Sequence, residues 1–233
     1  MDINPNSRPV LPPGFESRRA TLEDVEALTQ IWFTSFNATH DFWKFLTPEN
    51  ESTGKWLNEL WTLGIKAGPS VFITWVAEDL SKDRKVVAFT RWQPPQPNGS
   101  IDVPFPDFTP DWDEKVAEAL WGGIENFRRE LMGSRPHWFA EFTCVDAAYQ
   151  NSGIGPELAN WGCRQAAAEG LEVYCETVPF SRNLLFNRMG VVGMRTLTIP
   201  KRPGHFDAYE IIAGIRPPTA AIYSPKKARL SKL

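Results

Sequence analysis

The chain is poor in the residues that most often announce chemistry. Its 233 residues hold three cysteines and three histidines. Cys144, Cys163 and Cys175 are an odd set, and their spacing fits no zinc-ligand pattern. They read as reduced, buried thiols, so no metal is expected. His40, His137 and His205 are isolated, and there is no Gly-x-Ser-x-Gly elbow. A triad scattered along the chain stays open. Gly-x-Gly-x-x-Gly and Gly-Lys-Ser/Thr are both missing, which excludes the Rossmann fingerprint and the P-loop. No apolar run approaches the length of a membrane span, and Met1 to Pro13 lack the apolar stretch of a secretory signal. A cytoplasmic location is therefore expected. Positive charge is not in excess: 25 Lys and Arg face 28 Asp and Glu, a net charge of −3. That gives no electrostatic reason to expect nucleic acid as a partner.

What is present is the composition of a folded domain, 42% hydrophobic and 23% charged. The chain is long enough to bury roughly 70% of its unfolded surface. Two counts stand out, 10 Trp and 20 Pro; the tryptophans point to a large aromatic core or pocket. Residues 1–14, with four prolines, read as a disordered or extended arm. A short strand at 15–21 precedes a helix over 22–36, started by Thr21 and Asp24 and carrying Val25, Leu28, Ile31, Trp32 and Phe36 at helical spacing. A second helix is expected over 51–66. Strand-like runs at 70–78 and 85–92 flank the polar turn 79–84 and predict a hairpin.

The proline-rich stretch 93–110 reads as a long surface loop, either a lid or a rigid excursion. A helix over 111–132 and a strand over 137–145 follow. A loop at 146–155 leads to a helix from Pro156 to Glu169, closed by Gly170. Then come a strand at 171–178, a short helix at 181–189 and strands at 191–199 and 205–215. Residues 217–233 form a basic tail with Lys226, Lys227, Arg229 and Lys232; it reads as flexible and solvated, with a weak nuclear signal as the alternative. The whole is one mixed α/β domain over 15–216.

The informative stretch runs from Val145 to Pro156. A strand ends, the loop Gln150-Asn151-Ser152-Gly153-Ile154-Gly155 follows, and a helix begins. Glycines let backbone approach a ligand closely, and a helix N-terminus offers unpaired N–H groups and partial positive charge. Together they suit a phosphate or pyrophosphate. The bare pattern Arg/Gln-x-x-Gly-x-Gly/Ala arises by chance on the order of 0.2 times in such a chain, so its context carries the weight.

In that context the segment from Glu141 to Gly190 resembles the acyl-coenzyme A core of the GNAT acetyltransferase superfamily. The matching pieces are Thr143-Cys144-Val145, the loop Tyr149 to Gly155, the helix holding Leu158, Trp161 and Ala166, the strand Val173 to Thr177, and Asn183 ahead of Leu185-Phe186-Asn187-Arg188-Met189-Gly190-Val191. The resemblance implies a mostly antiparallel mixed sheet with flanking helices. It also implies acetyl-CoA as co-substrate. Backbone groups of Thr143, Cys144 and Val145 would pair with the pantetheine arm. The N–H groups of Gln150, Asn151, Ser152, Gly153, Ile154 and Gly155 would cradle the pyrophosphate, and Asn183 and Phe186 would contact the coenzyme. The family often has Tyr where Phe186 stands, as the acid that protonates the leaving thiolate; Phe186 cannot serve. Met189-Gly190-Val191 is a milder departure.

An alkylamine arrives mostly protonated at neutral pH, so acyl transfer needs a base or a desolvating pocket. Strand parity puts His137, Phe139, Glu141, Thr143 and Val145 on one face. Glu141 is a lone acid among aromatics and the leading candidate for the base; a structural carboxylate is the competing role. Glu176 is its rival, with Asp207 and His205 weaker. Trp32, Phe33, Phe36, Phe42, Trp43, Trp92, Phe105 and Phe108 are candidates to line an acceptor pocket or simply to fill the core. As a set they favour an apolar or aromatic amine. The expected activity is acetyl transfer from acetyl-CoA to a primary amine of a small molecule, by direct attack in a ternary complex. A protein or peptide acetyltransferase and a non-catalytic acyl-CoA binder are the alternatives, in a monomer or homodimer.

Overall fold

A computed structural model describes residues 7–37, 40–99 and 105–223. Residues 1–6 of the arm, 100–104 of the proline-rich loop and 224–233 of the basic tail lie outside them. Among the described residues seven strands make one sheet in the order β1-β2-β3-β4-β5-β7-β6. They are β1 (Phe15–Arg19), β2 (Ile73–Asp79), β3 (Lys85–Gln93), β4 (Trp138–Val145), β5 (Val173–Thr177), β6 (Val192–Ile199) and β7 (Tyr209–Arg216). Every pairing is antiparallel except β4 with β5. The expected hairpin is β2–β3.

Among the described residues six helices cover the sheet: α1 (Val25–Trp32), α2 (Asp41–Leu46), α3 (Glu51–Ala67), α4 (Glu114–Met132), α5 (Ile154–Glu169) and α6 (Arg182–Asn187). A 3-10 turn at Leu22–Asp24 and a π turn at Phe33–Asn37 extend α1, so the expected helix is one continuous run of mixed winding. Local chemistry sets the ends. The Asn50 side chain accepts from the Thr53 N–H at 2.9 Å to open α3, and Asp113 accepts from Val116 at 3.1 Å to open α4. Helix α2 is missing from the sequence reading, because six residues show too little of a 3.6 period. The last strand starts at Tyr209 and not at residue 205; Gly204, at φ 81°, turns the chain so that Arg202 and Phe206 bridge instead.

The ten tryptophans divide between the two faces. Trp32, Trp43, Trp56, Trp61, Trp112 and Trp121 pack with α1–α4 on one face. Trp75, Trp92, Trp138 and Trp161 pack beneath α5 and α6 on the other. Trp32 is fully buried, with the rings of Phe36, Trp43, Trp61 and Phe142 within 4.5–5.9 Å of it. Residues 7–12 pack against α5 and β1, and residues 13–14 turn the chain into β1. Trp161 donates to the Ser7 carbonyl at 2.5 Å, and the Ser17 hydroxyl donates to Pro9. At the other end Arg216 donates to the carbonyls of Ala220 and Ala221, and Asn160 to that of Tyr223.

Candidate functional site

Two strands part company at the centre of the sheet. Strand β4 pairs with β5 over three residues only: Trp138 with Val173, Phe139 with Tyr174, Ala140 with Cys175. Beyond Ala140, β4 keeps its ladder with β3, and β5 keeps its ladder with β7 to Thr177. The β5-facing edge of residues 141–145 is therefore open, and Thr143 is exposed. A bulge helps to open it: Arg91 pairs with Phe142 and Trp92 with Ala140, so Glu141 is the extra residue.

The bulge also corrects the parity reading of β4. Phe139 packs towards α4 and Phe142 towards α1, while Ala140 and Val145 pack towards α5. One added residue flips every side chain after it, so Phe139 and Val145 do not share a face. Cys144 is buried on the α1 side, and what it offers the open edge is backbone.

The loop after β4 ends in two left-handed residues, Asn151 at φ 64° and Gly153 at φ 89°. Gly153 caps α5, so the helix starts at Ile154 and not at Pro156. Pro156 fits there because the first-turn N–H groups have no helical partner to lose. Among the described residues nothing accepts from the N–H groups of Asn151, Gly153, Ile154 or Gly155. Gly155 lets the turn close on β4, since a Cβ there would sit 3.3 Å from Val145. The side chain of Ile154 is buried beneath α5, and Gln150 folds back onto the Val145 carbonyl at 3.3 Å. Asn151 and Ser152 are exposed, the latter bonded to the Tyr149 carbonyl. Asn183, exposed on α6, accepts from Asn187 at 2.9 Å. Phe186 leans on Gly193 and Gly214. An open strand edge beside unpartnered N–H groups fits an extended arm that ends in a diphosphate.

Two acids stand at the mouth of the fork. Glu141 and Glu176 follow directly on the last paired residues, and both point to the α1–α4 face. Glu141 is held by Arg91, whose Nε and Nη2 donate to its two oxygens at 2.6 and 2.8 Å. The two side chains are 6% and 2% exposed, and Arg91 also donates to the Leu60 carbonyl. Trp61, Phe72 and Phe142 surround the guanidinium. Burial pushes the Glu176 carboxyl up to about 8 and Glu141 adds to this, while a hydrogen bond from Tyr174 and the charge of Arg128 oppose it. Arg128 on α4 donates to Gln93 and to His137, and burial holds His137 down at about 4. Asp207 and His205 sit on the turn before β7, away from Ala213, the partner of Glu176.

Beyond the end of β5 an aromatic wall continues the site. His40 stacks on Phe180 and meets Tyr209 edge-on, and Trp43 donates to the Tyr209 hydroxyl at 2.9 Å. His40 Nε2 is buried with no partner among the described residues. Of the expected pocket residues, Trp92 lies on the opposite face, against Gly162 and Trp161. Phe105 stacks on Trp56 and Trp121, and Phe108 packs against Trp112. The sequence reading missed Arg91 and Arg128. The signal for Arg91 was there: a single cation inside the apolar run Val86 to Trp92 needs a buried counter-charge.

The sequence matches no protein-family model and no curated protein. Solved structures do resemble it. The C-terminal condensation domain of Ebony, in complex with beta-alanyl-dopamine, superposes with a TM-score of 0.61 at 12% identity, covering 87% of this chain and 98% of that one. A mosquito arylalkylamine N-acetyltransferase like 5b gives 0.56 at 16% identity, with 87% and 99% covered. YncA from Salmonella typhimurium, a putative acetyltransferase with its cofactor acetyl-CoA, gives 0.52 at 14% identity, with 92% and 99% covered. The chain has the fold of the GNAT acetyltransferases. Its single α/β domain, with a mostly antiparallel mixed sheet, matches them. No described helix is long and apolar enough to cross a membrane. Among the described residues no His, Cys, Asp and Glu cluster could hold a metal.

Proposed function

We propose that the protein is an N-acetyltransferase that moves the acetyl group of acetyl-CoA to the primary amine of a small molecule. The observation that carries this is the fork: an open edge at 141–145 next to the unpartnered N–H groups of the turn before α5. Thr143, Cys144 and Val145 would present backbone to the pantetheine arm. Gln150 to Gly155 would hold the diphosphate, with Asn183 and Phe186 alongside. The bound coenzyme supplies a thioester, whose carbonyl carbon is the acceptor of the new bond. Glu141 and Glu176 supply the ionisable groups at that point. His40, Phe180, Tyr209 and Trp43 form a wall that suits an apolar or aromatic amine. The names of the arylalkylamine enzyme and of the beta-alanyl-dopamine complex point the same way. Three unpaired cysteines fit a cytoplasmic setting.

The test has two parts. Calorimetry with coenzyme A should show binding, and Gly153→Ala should weaken it. Release of free thiol from acetyl-CoA should then appear with arylalkylamines in preference to polyamines and lysine peptides. Phe186 favours one other reading, a non-catalytic acyl-CoA binder, because it brings no hydroxyl to the site. That protein binds the coenzyme and turns over no amine.

A further inference from the structure

Expelling a thiolate is easiest when a proton reaches the sulfur as the bond breaks, and Phe186 has none to give. At the fork the carboxyl groups of Glu141 and Glu176 remain, and their surroundings separate them. Glu141 is bracketed by Arg91 through both oxygens, inside a cage of Leu60, Trp61, Phe72 and Phe142. A proton added there would leave a buried guanidinium without its counter-charge. Glu176 sits one strand over, at the equivalent position of β5, where Tyr174 is its hydrogen-bond partner and the charge of Arg128 lies nearby.

We propose, on the acetyl-CoA reading above, that the Glu176 carboxyl group is the proton carrier of the reaction, protonating the departing sulfur and then taking the amine proton in return. Glu141, locked by Arg91, is a positioning residue. The step balances. The ammonium first gives its proton to solvent; the free amine nitrogen then bonds to the carbonyl carbon and the carbon–sulfur bond breaks. Glu176 gives its proton to the sulfur, and the carboxylate so formed takes the extra proton from the new amide nitrogen. Glu176 ends as it began; the products are a neutral amide and a thiol.

The groups that face Glu176 agree with this. From β4 comes Glu141, from α4 Arg128, which also donates to the neutral His137 and to Gln93, and from its own strand Tyr174. Burial and Glu141 outweigh Tyr174 and Arg128, so the carboxyl titrates at about 8. An acid that titrates near the working pH is the efficient one.

Infrared spectroscopy of the coenzyme-free protein reads the proton directly. A carboxylic-acid carbonyl band should be present at neutral pH, fade as pH rises past about 8, and vanish in Glu176→Gln. With acetyl-CoA and an accepted amine, Glu176→Gln should lower kcat by about 10²–10⁴-fold. Its coenzyme affinity should hold, and the alkaline fall in the kcat profile should disappear. Glu176→Asp, which keeps the acid, should keep that alkaline fall at reduced kcat, and it stands in if the Gln variant does not fold. An absent band, or an unchanged kcat in Glu176→Gln, overturns the assignment and leaves the acetyltransferase reading intact. Coenzyme binding with no turnover of any amine overturns both.

Discussion

The charge inside the sheet is the strongest single-residue constraint in the molecule. Arg91 and Glu141 are nearly sealed from water, and their desolvation is offset by two short hydrogen bonds, the Leu60 carbonyl and three aromatic faces. Removing one partner leaves the other charge buried. Arg91→Met should therefore cost about 3–5 kcal/mol, read as a shift in the denaturant midpoint at constant slope. Glu176 makes a second prediction at this scale. Its carboxyl is raised in the folded state from the ordinary 4.5 to about 8. The folded protein keeps a proton that the unfolded chain loses. Its contribution to stability is full below pH 4.5 and is lost as pH rises towards about 8. Chemical denaturation of the wild type at pH 5 and pH 8 should show this decline, and Glu176→Gln should flatten it.

At the scale of the element, α5 is placed by its glycines. Gly153 sits at φ 89°, where a Cβ costs about 1–2 kcal/mol. Its replacement moves the first turn of N–H groups, which is why Gly153→Ala tests coenzyme affinity. Gly162 does something different. A Cβ there would come within 2.5 Å of the Trp92 ring. This contact brings α5 down onto β3 and seats Trp92, Trp138 and Trp161 against one another. Gly162→Ala should cost about 1–3 kcal/mol by overpacking and lower the melting temperature, without changing the sign of any charge at the fork.

For the whole molecule, the decisive feature is that the sheet fails to close along β4 and β5. Both neighbouring ladders stay intact, so the gap is held open by the strands on either side of it. The terminal segments add to this frame. Ser7 to Pro12 lie along one side of α5, and Ala220 to Tyr223 hold to Asn160 and Arg216. Much of this was legible in advance. Helical spacing marked α1 and α3, the polar turn marked the β2–β3 hairpin, and the strand–glycine–helix run from Val145 to Pro156 marked the turn before α5. Short or irregular features were not: α2 has too few residues for a period, and a bulge leaves no mark on local composition.

The sequence by itself determined the longer helices, the β2–β3 hairpin and the glycine turn before α5, because these follow from spacing and backbone freedom within a few residues. Only the tertiary structure decided what the carboxylates are. Glu141 and Glu176 are 35 positions apart in the chain, and nothing local says that they meet at one fork, or that Arg91 from a third strand neutralises the first and leaves the second to be shaped by burial. A side chain's charge state is set by what surrounds it in space, and that comes only from the packing of strands and helices distant in sequence.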